Sequence, residues 1–144
     1  MKGHRYFLDT NIFLRPIVKD NPQKVADCER LFEALKNGEV KAVTSHLVLA
    51  ELVWTAQKSY QIQKEAMVRI IQGILAIKNL KIQDTFSSTL ALQHYKTYPV
   101  KFIDALLATH SSILKNQVVL ISYDRDFDKL GITRKEPGEI LKEK

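Results

Sequence analysis

Long apolar stretches are missing from this chain of 144 residues. Its longest unbroken apolar runs, such as Leu47–Ala50 and Val118–Ile121, reach four residues. A bilayer crossing takes roughly 20. The opening Met1-Lys2-Gly3-His4-Arg5 carries no apolar stretch of the secretory kind. There is one cysteine, Cys28, which excludes an intrachain disulfide and a cysteine-built zinc cage. No repeat, low-complexity tract or linker rich in proline, glycine or serine divides the sequence. These absences predict a single domain over residues 1–144, with no membrane segment and a cytoplasmic location.

What is present fits a packed core. The chain is 45% hydrophobic, which is ordinary for globular proteins and excludes global disorder. It has 22 basic and 16 acidic residues, for a net charge of +6. That excess favours a polyanionic partner, nucleic acid before a membrane surface.

Tyr6-Phe7-Leu8 is a short apolar run ending at Asp9, and it predicts a buried strand. Val25, Cys28, Leu31, Phe32 and Leu35 make the apolar stripe of a helix from Asn21-Pro22 to Lys36, which Asn37-Gly38 stops. Cys28 is thereby a core residue. Val40 to Val43 predicts a second strand, and Thr44-Ser45 can cap a helix from about His46 to Ser59. Helical spacing continues from Ile62 to Lys78. Leu80-Lys81-Ile82 predicts a third strand, Thr85 to Tyr95 a helix, and Val100 to Leu114 another. Val118 to Ile121 predicts a buried strand, Asp126 to Leu130 a helical turn, and Ile132-Thr133 an edge strand. Alternating strands and helices imply a parallel sheet covered on both faces, with ligands beyond the carboxyl ends of its strands.

Four acids stand out from the rest by their apolar settings. Asp9 follows Phe7-Leu8, and Asp124 comes three residues after a four-residue aliphatic run. Glu51 shares a predicted helix face with Leu47, Val48, Trp54 and Thr55. Asp104 shares one with Val100, Leu107, Ala108 and Ser111, with Lys101 at the flank. A carboxylate on an apolar face has to be paired, protonated or metal-bound. Taken singly, each reads as a helix cap or an ion-pair partner. Taken together they are placed to converge on one sheet edge, where they repel one another unless cations neutralise them. Hard oxygen donors without histidine or thiolate favour Mg²⁺ or Mn²⁺ over zinc. Phosphodiester hydrolysis is the chemistry such a cluster suits, because a bound metal acidifies water and offsets charge at phosphorus. The basic remainder of the surface would then hold a nucleic-acid backbone.

Leu8-Asp9-Thr10-Asn11-Ile12-Phe13-Leu14-Arg15 resembles the opening motif of PIN-domain ribonucleases, VapC-type toxins in particular. Ser45 to Leu52 resembles their second motif, Phe102 to Ala108 the third, and Ile121 to Phe127 the fourth. The resemblance runs over nearly the whole chain, in the family's order. It implies a PIN-like three-layer α/β/α sandwich with a central parallel sheet. It also implies a metal-dependent endoribonuclease using Mg²⁺ or Mn²⁺, usually a homodimer, and inhibited by a VapB-like antitoxin. Carried over by position, Asp9, Glu51, Asp104 and Asp124 match the catalytic, metal-holding acids. Ser122 and Asn11 match supporting positions. Asp126 either contributes to a second metal or caps the next helical turn.

The same residues test the rivals. A phospho-receiver module would need an early acidic pair, a phosphorylatable Asp ending a middle strand, and a late lysine. Here the early acid stands alone, and Leu80 to Asp84 is a poor middle-strand site. A phosphatase with an Asp-x-Asp pair fails because Asn11 holds the second position. A catalytically dead RNA-binding relative is disfavoured because no acid of the set is missing. A PIN nuclease with an RNA-processing role and no antitoxin stays open. His4, His46, His94 and His110 lack ligand-like spacing and read as surface or capping residues. Trp54 reads as core. Arg15, Lys19, Arg125, Lys129, Arg134 and Lys135 are candidates to line an RNA path, Arg15 and Arg125 foremost.

Overall fold

Strand β1 (Arg5–Leu8) is the middle strand of a five-stranded sheet. The computed structural model describes residues 5–142, so the reading of His4 lies outside the described residues. On one side of β1 come β2 (Lys41–Thr44) and then β3 (Leu80–Ile82); on the other come β4 (Val119–Ile121) and then β5 (Arg134–Lys135). Every pairing is parallel, as the alternation of elements predicts.

Helices α1 (Thr10–Val18) and α2 (Pro22–Lys36) connect β1 to β2, and α3 (His46–Tyr60) and α4 (Lys64–Leu75) connect β2 to β3. Right-handed crossovers in that direction place α1 to α4 on one face of the sheet. The chain then returns past β1 to reach β4, so α5 (Ser88–Thr97), α6 (Phe102–Leu107) and α7 (Ser111–Leu114) cover the other face. Contacts follow this division: α1 packs on α2 and α3, α3 on α4, and α5 on α6. A 3₁₀ turn (Arg125–Leu130) joins β4 to β5, and α8 (Pro137–Lys142) closes against α2.

The core lies on both faces of the central strands. Phe7, Leu8, Leu120 and Ile121 are fully buried, with Leu31, Leu35, Leu52 and Phe127 packed around them. Burial of each such side chain stabilises the fold by about 1.5–3 kcal/mol. Cys28 belongs to this core, as its place on the α2 stripe predicts.

Four expectations about the elements change. The helix expected over Val100 to Leu114 is two helices broken at Ala108–His110. Thr109 donates its hydroxyl to Leu106 O at 2.7 Å, and the His110 ring accepts the Ser112 N–H. Such side-chain bonds compete with the helical ladder. The helix expected from Ile62 starts at Lys64, because Gln61 ends α3 in the left-handed region (φ 52°). The edge strand falls at Arg134–Lys135 rather than Ile132-Thr133. Finally, α1 and α8 were not expected. Pro16 disguises α1, since proline lacks the N–H that bonds one turn back, yet burial of Ile12, Phe13 and Leu14 holds the helix.

Histidine 110 is also not a surface residue. It is fully buried, with ring centroids 4.8 Å from Phe7 and 5.3 Å from Phe86. Its capping role stands.

The connection out of β1 runs to β2 on one side, whereas the chain returning from β3 crosses to β4 on the other, so the strand order reverses between β1 and β4. In open α/β sheets the crevice beyond the carboxyl ends at such a point is the usual ligand site.

Candidate active site

Asp9 and Asp124 both lie at that point. Leu8 and Ile121 are register partners, and the Asp9 N–H donates to Ile121 O at 3.1 Å, so the chain turns out of β1 directly beside the end of β4. Asp9 is buried at the start of α1, where its Oδ1 accepts the Thr10 N–H at 2.8 Å. Its Oδ2 accepts the Ser122 hydroxyl at 2.7 Å. Burial pushes the Asp9 carboxyl up to about 6; the Ser122 and Thr10 hydrogen bonds oppose the rise, and the charges of Glu51 and Asp124 add to it.

Glu51 sits in the second turn of α3 and is half-buried. The Thr10 hydroxyl donates to Glu51 Oε1, which ties the start of α1 to α3. Sequence reasoning passed over Thr10. Its signal was a hydroxyl directly beside the first acid.

Asp104 is in the first turn of α6 and is 5% exposed. Its Oδ2 is buried and has no hydrogen-bond partner among the described residues. Burial raises its carboxyl to about 7, with repulsion from Asp124, Asp9 and Glu51 reinforcing the rise and Lys101 partly offsetting it. A buried acceptor without a donor is costly in a native fold. What that oxygen lacks is a hydrogen-bond donor or a cation.

Asp124 accepts the Asp126 N–H on Oδ1 at 2.9 Å and donates its own N–H to Ser122 Oγ at 3.0 Å. The cap of the 3₁₀ turn is therefore Asp124, and Asp126 is free of that task. Oxygens of Asp104, Asp124 and Asp126 lie within 4.8 Å of one another. Asp126, the least certain acid in the sequence, is thus in the tightest trio, although Lys129 Nζ also holds it at 2.9 Å. Asp9 and Glu51 stand beside this trio and interact with it through charge. Asn11 is half-buried one residue inside α1.

The basic candidates divide. Arg134 bonds Asp128 through Nε at 3.0 Å and holds the Ser122 carbonyl at 2.9 Å, so it braces the loop below the acids. Arg15 pairs with Asp20 at 2.9 Å and lies over the Tyr123 ring. Lys129 is committed to Asp126. Arg125 and Lys19 are exposed. Trp54 corrects its reading: it is 61% exposed, with Lys58 Nζ 4.5 Å from its ring centroid. The face it shares with Glu51 is only partly buried, because α3 turns the Trp54 side toward solvent.

A family model for the PIN domain matches residues 6–132. The chain belongs to the PIN-domain family. The match spans all four acids, and it sets aside the receiver and phosphatase alternatives. This PIN domain is 25% identical to the VapC ribonuclease of Aquifex aeolicus (strain VF5) over 132 residues, 92% of the chain and 96% of that relative. It superposes with a TM-score of 0.66 on a chain of VapBC2 from Rickettsia felis, solved bound to a DNA fragment from its promoter, at 25% identity and covering 92% and 98% of the two chains. The Mycobacterium tuberculosis toxin VapC20, described as cleaving the sarcin-ricin loop, shares the fold at a TM-score of 0.65 and 17% identity, over 92% and 99% of the chains. No helix among the described residues is long and apolar enough to cross a membrane.

Proposed function

We propose that this PIN domain is a Mg²⁺- or Mn²⁺-dependent endoribonuclease and the cytoplasmic toxin of a VapBC-type toxin–antitoxin pair. The observation that carries the reading is the unpartnered, buried Asp104 Oδ2 inside a cluster of acids at the switch point of the sheet. Asp9, Glu51, Asp104 and Asp124 are the catalytic acids that would hold the ion, with Asp126 available to a second. When bound, the ion supplies Lewis-acid activation and offsets charge developing at phosphorus. Ser122 orients the Asp9 carboxylate and the backbone of Asp124 together. Thr10 orients Glu51. Arg125 is better placed than Arg15 to touch substrate phosphate, since Arg15 is already paired.

The antitoxin reading has support outside the acids. A groove of about 400 Å³ between α1, α2 and α4 is lined by Phe13, Ile17, Phe32, Ile70 and Ile74, with Glu29, Glu33 and Lys36 at its rim. An amphipathic helix is the shape that fills such a groove. A basic side chain on the same partner would pair with the acid cluster, an arginine with two carboxylates at once. Homodimer formation has support in the exposed Leu92, Tyr95 and Phe102 of α5 and α6.

The test is cleavage of RNA by the purified chain in Mg²⁺ or Mn²⁺, its loss in EDTA, and its return with excess metal. Cutting that persists in EDTA rejects the metal centre. Toxicity on expression, relieved by the product of an adjacent gene that co-purifies, supports the toxin role. A chain that cuts RNA but is harmless and binds no such product is a PIN nuclease without an antitoxin.

A further inference from the structure

At the opposite edge of the sheet, the amino-terminal side of β1 to β3, lies a cleft of about 130 Å³ lined by Arg5, Lys41, Lys78, Asn79 and Lys81 over the strand residues Ala42 and Val43. No acid lines it. Arg5 and Lys41 are register partners on neighbouring strands. Lys81 is the partner of Val43, two positions beyond Lys41. Side chains alternate with a period of two along a strand, so Arg5, Lys41 and Lys81 leave the sheet on the same face. All four cations are exposed, and none forms an ion pair among the described residues. Like charges directly opposite one another on paired strands repel. An anion between them removes that cost.

We propose that this cleft is a phosphate-binding site that holds the backbone of the RNA substrate at a distance from the bond to be cut. The inference rests on the ribonuclease reading of the acidic edge. Five carboxylates at that edge outweigh the charge of the one or two divalent ions they would hold, so the excess positive charge that attracts a long RNA backbone lies elsewhere on the molecule. The cleft concentrates four cations, and no aromatic side chain lines it among the described residues. Such a site positions a backbone and reads no sequence. Arg5 and Asp9 stand at the two ends of β1, roughly 13 Å apart at about 3.3 Å per residue, with the sheet between their edges. A strand of only a few nucleotides held at the acids is too short to pass round the helix layer to the cleft. A long or folded RNA does.

The experiment compares the full chain with the double variant Lys41→Gln/Lys81→Gln. Cleavage of a short unstructured oligonucleotide should be unchanged. For a long folded RNA, KM should rise roughly ten-fold at constant kcat, as expected when remote phosphate contacts are lost. An unchanged KM, or equal losses on both substrates, overturns the proposal. Filter binding of the folded RNA in EDTA reads the site without cleavage: the slope of log affinity against log salt should fall by about 2 in the double variant. An unchanged slope overturns the proposal even if the chain is a nuclease, and a reduced slope supports it even if no cutting is seen. Titration with inorganic phosphate separates the free anion from the RNA backbone. Tight phosphate binding, lost in the double variant while RNA affinity is unaltered, assigns the cleft to a free anion and overturns its RNA role.

Discussion

The Ser122 hydroxyl donates to Asp9 Oδ2 at 2.7 Å across 113 positions of sequence. The same oxygen accepts the Asp124 N–H at 3.0 Å, so one buried side chain sets the first acid and the last relative to each other. The Asp9 carboxylate is held by Ser122 and Thr10, and the Asp124 carboxylate by the Asp126 N–H, so both are oriented by the protein itself.

Ser122→Ala should therefore weaken Mn²⁺ binding by about 10–100-fold, the usual cost of losing a group that orients ligands. Ser122→Thr should retain most of the affinity, because it keeps the hydroxyl. Isothermal titration of the two variants and the parent measures this. Equal affinities in all three proteins would show that the bond orients nothing.

Asp104→Asn should stop RNA cleavage and raise the melting temperature of the metal-free protein near pH 7. The change removes a buried charge and the repulsion it meets from Asp124 and Asp9. A fluorogenic RNA and a thermal melt give the two readings. A variant that cuts at the parental rate takes Asp104 out of the site.

Metal-free stability should depend on pH with a definite sign. Asp9 and Asp104 have folded carboxyls raised to about 6 and about 7 from an ordinary value of 3.8. The folded state therefore holds these protons more tightly than the unfolded state. Their contribution is fully present below about pH 4 and is lost as pH rises through about 7, a change on the order of a few kcal/mol for the pair. Denaturant melts between pH 4 and 8 should show this loss, smaller in Asp104→Asn, and Mg²⁺ should restore stability at the upper end. A flat difference between parent and variant across that range would contradict it.

Trp54→Ala should cost less than about 1 kcal/mol, the value of an exposed cation–π contact with Lys58. Phe127→Ala, at a fully buried site, should cost about 3–5 kcal/mol. Urea melts of both variants place one on the surface and the other in the core.

Period and punctuation in the sequence were enough to mark out the alternating strands and helices, the parallel sheet, the α2 stripe with Cys28 inside it, and acids at the ends of β1 and β4. These are local properties: apolar spacing sets which face is buried, and a carboxylate after an apolar run marks where the strand stops. Tertiary structure decided what local patterning does not carry. Pro16 is tolerated inside α1 because core burial outweighs a lost ladder bond, and Val100 to Leu114 breaks in two because His110 is drawn between Phe7 and Phe86 while Thr109 bonds back into α6. Trp54 and Val48 share a helix and both suit a core, yet only the packing of α3 on its neighbours buries one and leaves the other in solvent. The grouping of Asp104 with Asp124 and Asp126, and the unpartnered oxygen of Asp104, arise from the approach of α6 to the turn after β4, a distance between segments that no spacing along the chain encodes.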